Sequence, residues 1–120
     1  MESYIFFFAG LSFILVHEMD AVKCHEWTIL PLVSRLAEKT GYIVFTVLHV
    51  ALYLLLFWGI FDKNGINQNL VIGLDIFFII HIFLHVIYFW HPKNQFKSVF
   101  SWIIILGAGI AGLLDMFTKL

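Results

Sequence analysis

Charged residues are scarce in this chain: Asp, Glu, Lys and Arg make up only 12% of its 120 residues. An ordinary soluble domain carries about 25% charged residues and is about half apolar. Here 62% of the residues are hydrophobic and the mean hydropathy is +0.95. This composition excludes a soluble globular domain and a disordered chain, and it predicts an integral membrane protein.

Positive charge and cysteine are also sparse. Seven Lys and Arg against eight Asp and Glu give a net charge of −1, so we expect no nucleic acid among the partners. A single cysteine, Cys24, excludes a disulfide within the chain. Against this background six histidines are an unusual load for a protein with so little polar surface.

Four apolar segments are long enough to cross a membrane. A span needs about 20 mostly apolar residues, and such segments lie at about 4–24, 42–61, 70–90 and 96–117. Short polar links separate the last three, and the longer first link predicts a short interfacial helix between spans 1 and 2. We therefore expect an all-α integral membrane four-helix bundle, with residues 1–120 forming a single transmembrane domain.

The distribution of Lys and Arg predicts the orientation of the bundle. The first and third links lie on one side of the membrane, and that side has five of these residues in the links or at the adjoining span ends, whereas the other side has two. Because positively charged loops stay in the cytoplasm, both termini are expected on the non-cytoplasmic side of a cell membrane. The five are Lys23, Arg35, Lys39, Lys93 and Lys97, and the two are Lys63 and Lys119.

Four histidines fall at overlapping depths in the predicted spans. At a rise of about 1.5 Å per residue, His17, His49, His81 and His85 all lie in the cytoplasmic half. Residues three or four apart share a helix face, which places Asp20 on the His17 stripe and joins His81 to His85. Ionisable side chains inside a membrane usually face the bundle interior and indicate a functional site.

Imidazole and carboxylate groups are the ligands of zinc and non-haem iron, and helix bundles build such centres from facing helices. The sequence therefore predicts a divalent metal ion, zinc or iron, held within the cytoplasmic half of the membrane. The predicted ligands are His17, Asp20, His49, His81 and His85, with Glu18 or Glu26 as a catalytic base or additional ligand.

Such a centre predicts a metal-dependent enzyme, a hydrolase or an oxidoreductase, acting on a lipid or other hydrophobic substrate. A proton or metal-ion transporter is the alternative, with a path from His81 to Asp75 and Asp115, although residues 76–80 between them are wholly apolar. A small structural or regulatory membrane subunit is a further alternative.

Small residues concentrate at positions 107–112 of the fourth span. Small residues allow helices to approach closely, either within one bundle or between copies. We therefore expect membrane lipids and, through this glycine-rich helix, a second copy of the chain as partners in a homodimer.

The run His17-Glu18-Met19-Asp20-Ala21, followed by His25-Glu26-Trp27, resembles a group of small, functionally unassigned bacterial membrane proteins with a His-Glu…Asp-Ala and Glu-Trp signature. It is also loosely similar to the membrane family named for a His-x-x-Glu-Glu motif. The resemblance covers about the first half of the chain and implies that His17, Glu18, Asp20 and Glu26 belong to a site. It implies no particular reaction.

Two better-known classes of membrane metal enzyme do not fit. Membrane desaturases use adjacent histidine pairs, and this chain has none. Zinc peptidases of the His-Glu-x-x-His type share only His17 and Glu18, because Ala21 occupies the position of the second histidine.

Overall fold

The computed structural model describes residues 4–119, and within them the chain forms four long helices. Each helix is long and apolar enough to cross a membrane. The expected all-α four-helix bundle is therefore confirmed. The helices are α1 (Ile5–Lys23), α2 (Glu38–Ile60), α3 (Gln68–Ile87) and α4 (Val99–Thr118).

Two helices begin at positions that differ from the predicted spans. α2 begins at Glu38 rather than near residue 42, because an acidic first turn is favourable at a helix N-terminus. α4 begins at Val99, because the side chain of Ser98 accepts a hydrogen bond from the backbone N–H of Ser101 at 3.0 Å and caps the helix. Phe96 therefore precedes α4, in the link, where it is buried.

The link between α1 and α2 contains two short turns of 3-10 helix, Glu26–Thr28 and Leu32–Arg35, in place of one continuous helix. His25 has a left-handed backbone with φ of 52°, which turns the chain sharply at the end of α1. Trp27 and Ile29 are buried, so this link packs onto the bundle.

The links divide between the two ends of the bundle. Cys24 Sγ, at the end of α1, donates to the backbone oxygen of Gln95, so links 24–37 and 88–98 share what we call the basic end. At the opposite, terminal end, Gln68 donates to the hydroxyl of Tyr4. There a hairpin of β1 (Phe61–Asp62) and β2 (Gly65–Ile66), paired antiparallel, joins α2 to α3.

The four helices are not packed equally. α4 contacts both α1 and α3 along its length, whereas α2 contacts mainly the link that precedes it. In α2 only Gly41, Phe45 and Ile60 are buried. The core of the bundle is therefore formed by α1, α3 and α4, and α2 lies at its side.

The small residues of α4 are used for contacts within the chain. A Cβ on Gly112 would lie 2.9 Å from the backbone oxygen of Asp75, and a Cβ on Gly109 would lie 3.1 Å from that of Phe78. The glycines therefore allow the backbones of α3 and α4 to approach closely. The homodimer stays a prediction.

Two apolar clusters fill the interior, one in each half of the bundle, and the histidines of α1 and α3 lie between them. The cluster towards the terminal end consists of Phe7, Leu11, Ile14, Ile60, Val71, Phe78 and Ala108. The cluster towards the basic end consists of Ala21, Cys24, Trp27, Ile29, Phe45, Phe96 and Ile105.

Candidate metal centre

Three histidines from two helices meet inside the bundle. The ring centroid of His17 on α1 lies 4.5 Å from that of His81 and 4.9 Å from that of His85, both on α3. The exposed fraction of these residues is 0%, 7% and 7%. One ligand atom from each lies within 4.8 Å of the others, and among the described residues this is the one such group of His, Cys, Asp or Glu.

The separation of the ring nitrogens suits an ion. His81 Nε2 lies 3.2 Å from His85 Nε2. Zn–N bonds of about 2.0–2.1 Å in tetrahedral geometry place two nitrogen ligands about 3.3 Å apart. Because the two histidines are four residues apart on one helix, their rings reach this separation without any change in the backbone. We call His17, His81 and His85 the histidine triad.

Several nitrogens of the triad are buried without a hydrogen bond. Nδ1 and Nε2 of His17 and Nδ1 of His81 make no hydrogen bond with any residue in the range 4–119. A neutral imidazole has one donor and one acceptor nitrogen, and each buried one left unsatisfied costs about 1–3 kcal/mol. Buried polar atoms normally form hydrogen bonds, so this concentration of nitrogens without one indicates a site for a ligand.

Aromatic rings enclose the triad. The Phe96 ring stacks on His17, with centroids 5.3 Å apart and planes inclined by 29°, and meets His85 edge-on at 4.6 Å. Phe77 lies 5.7 Å from His81. These walls keep bulk water away from the imidazoles. Sequence reasoning did not identify Phe96, although the Ser98-x-x-Ser101 capping pattern could have placed it in the link above the site.

Glu26 reaches the triad from the turn that follows α1. Its Oε2 atom lies 3.3 Å from His17 Nε2, and its side chain is 15% exposed. Together with His81 and His85 it lines a cavity of about 60 Å³. This volume is large enough to hold at least one water. The carboxylate of Glu26 and the imidazoles of His81 and His85 therefore border one space that can hold a water.

Two predicted ligands have partners away from the triad. Asp20 Oδ2 accepts a hydrogen bond from Ser101 Oγ at 2.6 Å. His49 Nε2 lies 2.7 Å from Glu18 Oε2, and His49 Nδ1 donates to the backbone oxygen of Phe45 at 2.7 Å. The structure thus brings together three of the five predicted ligands and pairs the fourth and fifth elsewhere.

Helix geometry explains this division. Consecutive residues of a helix point about 100° apart, so His17 faces α3 whereas Glu18 faces α2. The sequence places both at one depth and gives no information on which neighbouring helix each one meets. Ser101, the partner of Asp20, was not identified from the sequence for the same reason.

A second polar group lies towards the terminal end. Asp75 and Asp115 are both fully buried and face each other, and Lys119 Nζ bonds to Asp115 Oδ2. Phe7 and Phe78, no more than 1% exposed, belong to the apolar cluster between this group and the triad. The two polar layers are therefore separated by packed hydrocarbon.

Comparison with known proteins gives a family without an assigned activity. A family model described as a family of unknown function (DUF6713) matches residues 3–120. This agrees with the resemblance to functionally unassigned proteins, while the His-Glu…Asp-Ala signature itself stays a prediction. No curated protein and no solved structure matches the chain.

Proposed function

The chain belongs to the family of unknown function DUF6713, and we propose that it is a membrane protein in which the histidine triad holds one divalent metal ion. The observation that carries this proposal is the meeting of three buried imidazoles with ligand atoms within 4.8 Å of one another. Three imidazoles suit zinc first, and non-haem iron is the alternative ion.

The donor set favours a catalytic role over a purely structural one. Structural zinc sites usually have four protein ligands, whereas catalytic sites have three and an open position. A bound divalent ion polarises a water or a carbonyl oxygen. Glu26, beside His17 and on the wall of the small cavity, is placed to take a proton from such a water. We therefore propose a metal-dependent hydrolase that acts on a lipid or other hydrophobic substrate.

The transporter alternative has less support. A path for protons or metal ions from His81 to Asp75 requires polar groups or water between them. Phe7 and Phe78 fill part of this region and are buried. An oxidoreductase remains the alternative only if the bound ion is iron.

The proposed centre lies in the cytoplasmic half of the membrane. The triad is nearer the basic end, where five of the seven Lys and Arg residues lie in the links or within two residues of them. Positively charged links favour the cytoplasm. We propose that both termini lie on the non-cytoplasmic side of the cell membrane.

Elemental analysis of the protein, purified in detergent without chelator, tests the metal centre. We expect about one zinc or iron ion per chain, and we expect His17→Ala, His81→Ala and His85→Ala each to lower the content to about a tenth of this or less. His91→Gln is the matched control, since His91 lies outside the triad in the link between α3 and α4. A wild-type content near zero would contradict the proposal.

The variant Glu26→Gln distinguishes a role of Glu26 as a general base from a role as a metal ligand. If Glu26 acts as a base, the metal content is unchanged, while the rate of hydrolysis of p-nitrophenyl palmitate as a probe falls by about 10²- to 10⁴-fold. If Glu26→Gln instead loses the ion as the histidine variants do, Glu26 is a ligand and the assignment of the base is wrong.

A further inference from the structure

A cleft between α1 and α2 lies on a different side of α1 from the triad. Its volume is about 420 Å³, within the range of about 300–1,000 Å³ typical of small-molecule sites. Leu15 and Val22 of α1 and Val50 and Phe57 of α2 contribute to its largely apolar walls. All of these residues lie within helices that can span a membrane, so the cleft lies at the depth of the hydrocarbon.

One polar pair faces this apolar cleft. His49 and Glu18 line it, and their side chains are 21% and 19% exposed. Tyr53 lines it too, with its ring centroid 5.8 Å from that of His49. A charged or strongly polar pair that faces hydrocarbon is costly. The cost falls if a bound molecule offers the pair a polar group.

The hydrogen bonds of His49 fix the net charge of the pair. Nδ1 lies 2.7 Å from the backbone oxygen of Phe45, which can only accept, so Nδ1 carries a hydrogen. Nε2 lies 2.7 Å from Glu18 Oε2, so one proton lies between them. Whether this proton is on nitrogen or oxygen, the pair is neutral overall. The carboxyl group of Glu18 retains acceptor capacity beyond this bond.

Charge and depth together select the chemistry of the ligand. Because the Glu18–His49 pair is neutral overall, the cleft offers no net positive charge to hold a phosphate or carboxylate. His49 is eleven residues after the start of α2, about 16 Å at 1.5 Å per residue, which is deeper than phospholipid head groups lie. A neutral hydroxyl group needs no positive charge in the cleft and can lie at this depth.

We infer that the cleft between α1 and α2 binds a long-chain alcohol, with the chain along the apolar walls and the hydroxyl donating to Glu18. This site is separate from the metal centre, because His17 and Glu18 point to different sides of α1. The inference does not depend on the presence of a metal ion.

Photolabelling of the full-length protein in phosphatidylcholine nanodiscs tests the inference, with a diazirine derivative of hexadecanol as the probe. Mass spectrometry is expected to map the label to residues 15–22 and 45–57. Excess unlabelled hexadecanol, added before irradiation, is expected to reduce the labelling by competition, whereas hexadecane and palmitate are expected to leave it unchanged. Glu18→Leu and His49→Phe each lower the labelling by about tenfold, the effect of about 1.4 kcal/mol from lost hydrogen bonds.

Glu38→Gln is the matched control, because Glu38 pairs with His25 at 2.6 Å outside the cleft, and labelling is expected to be unchanged. Glu18→Met, which has a similar size and no oxygen acceptor, is the second variant if Glu18→Leu does not fold, and the same tenfold loss of labelling is expected. Because the cleft needs no metal ion, chelator treatment is expected to leave the labelling unchanged. The metal centre and the alcohol site are therefore tested independently, and either proposal can fail without the other. Equal displacement by hexadecane, or labelling spread over the outer face of α2, indicates ordinary lipid contact and overturns the inference.

Discussion

Single residues of α1 differ sharply in what they contact, although the sequence groups them. Asp20 shares a helix face with His17, but its carboxylate is bound by Ser101 of α4. Ser101 is 2% exposed and Asp20 is 9% exposed. The hydrogen bond therefore connects α1 to α4 in a buried place, where a charge without a partner is costly.

Ser101→Ala is expected to destabilise the fold without loss of the metal ion. Removing one hydrogen bond to a charged group costs about 1.5–3 kcal/mol, and a midpoint of thermal unfolding several degrees lower in detergent measures it. Asp20→Asn is the companion variant, because an amide can still accept from Ser101. If Asp20→Asn loses the bound ion, Asp20 is a ligand as first predicted from the sequence, and the triad is incomplete.

The pKa of the Cys24 thiol reflects the burial of this side chain at the end of α1. Burial raises the pKa of this thiol above its usual value, and the nearby Asp20 carboxylate raises it further. A raised pKa means that the reactive thiolate forms only at higher pH. We therefore expect the midpoint of the pH profile for alkylation by iodoacetamide to lie above the value of about 8.5 for a free cysteine.

A cysteine placed at Asn64 in a Cys24→Ser background serves as the exposed reference for this measurement, because Asn64 lies in the hairpin turn. The midpoint is compared and not the maximal rate, since burial also slows access of the reagent. A midpoint for Cys24 equal to or below that of the reference would contradict the assignment.

At the scale of helices, the contact of α3 with α4 depends on the absence of side chains. Gly112 touches the backbone of Asp75 and would bring an added Cβ to 3.2 Å from Phe78 Cβ. In contrast, a Cβ on Gly73 would meet nothing within 4 Å. Gly112 therefore allows the close contact between the helices, whereas Gly73 takes no part in it and serves as the control.

Gly112→Ala is expected to destabilise the protein by about 1–3 kcal/mol, because the two helices must move apart to accommodate the methyl group. Gly73→Ala has no steric cost and is expected to be neutral or stabilising, since alanine favours the helix. Unfolding at increasing concentrations of a denaturing detergent measures the stability of both variants. Equal effects of the two variants would show that the close contact is unimportant.

At the scale of the whole molecule, the orientation in the membrane decides which compartment would supply the proposed metal ion. Asn64→Cys, at the terminal end, and Lys93→Cys, at the basic end, test it in a Cys24→Ser background. From the proposed orientation, with both termini outside the cytoplasm, we expect a membrane-impermeant maleimide to label the first variant in intact cells and the second only after permeabilisation. The reverse pattern would place the basic end outside.

Helix α2 also matters at this scale, because it leaves the cleft beside α1. α2 is buried only near its ends and at Phe45, so few apolar contacts hold it to the other helices. The Glu18–His49 pair is the polar contact between α1 and α2 near the middle of the bundle. α1 and α2 have few other contacts with each other.

Hydropathy and residue spacing were enough to predict the four helices and the level of the histidines along them. Hydropathy does this because a helix in hydrocarbon satisfies its own backbone hydrogen bonds, so its position depends on local composition and hardly on its neighbours. The presence of His17, His81 and His85 in one layer of the bundle follows from the same local rules, and so does the spacing of His81 and His85.

Which side chains meet depends on how the helices pack against one another. The rotation of each helix about its axis depends on distant contacts, such as that of Gly112 with Asp75. A rotation of about 100° exchanges the partner of one residue for that of the next. Thus His17 joins the triad while Glu18 joins His49, because packing between helices is non-local and no single segment of sequence records it.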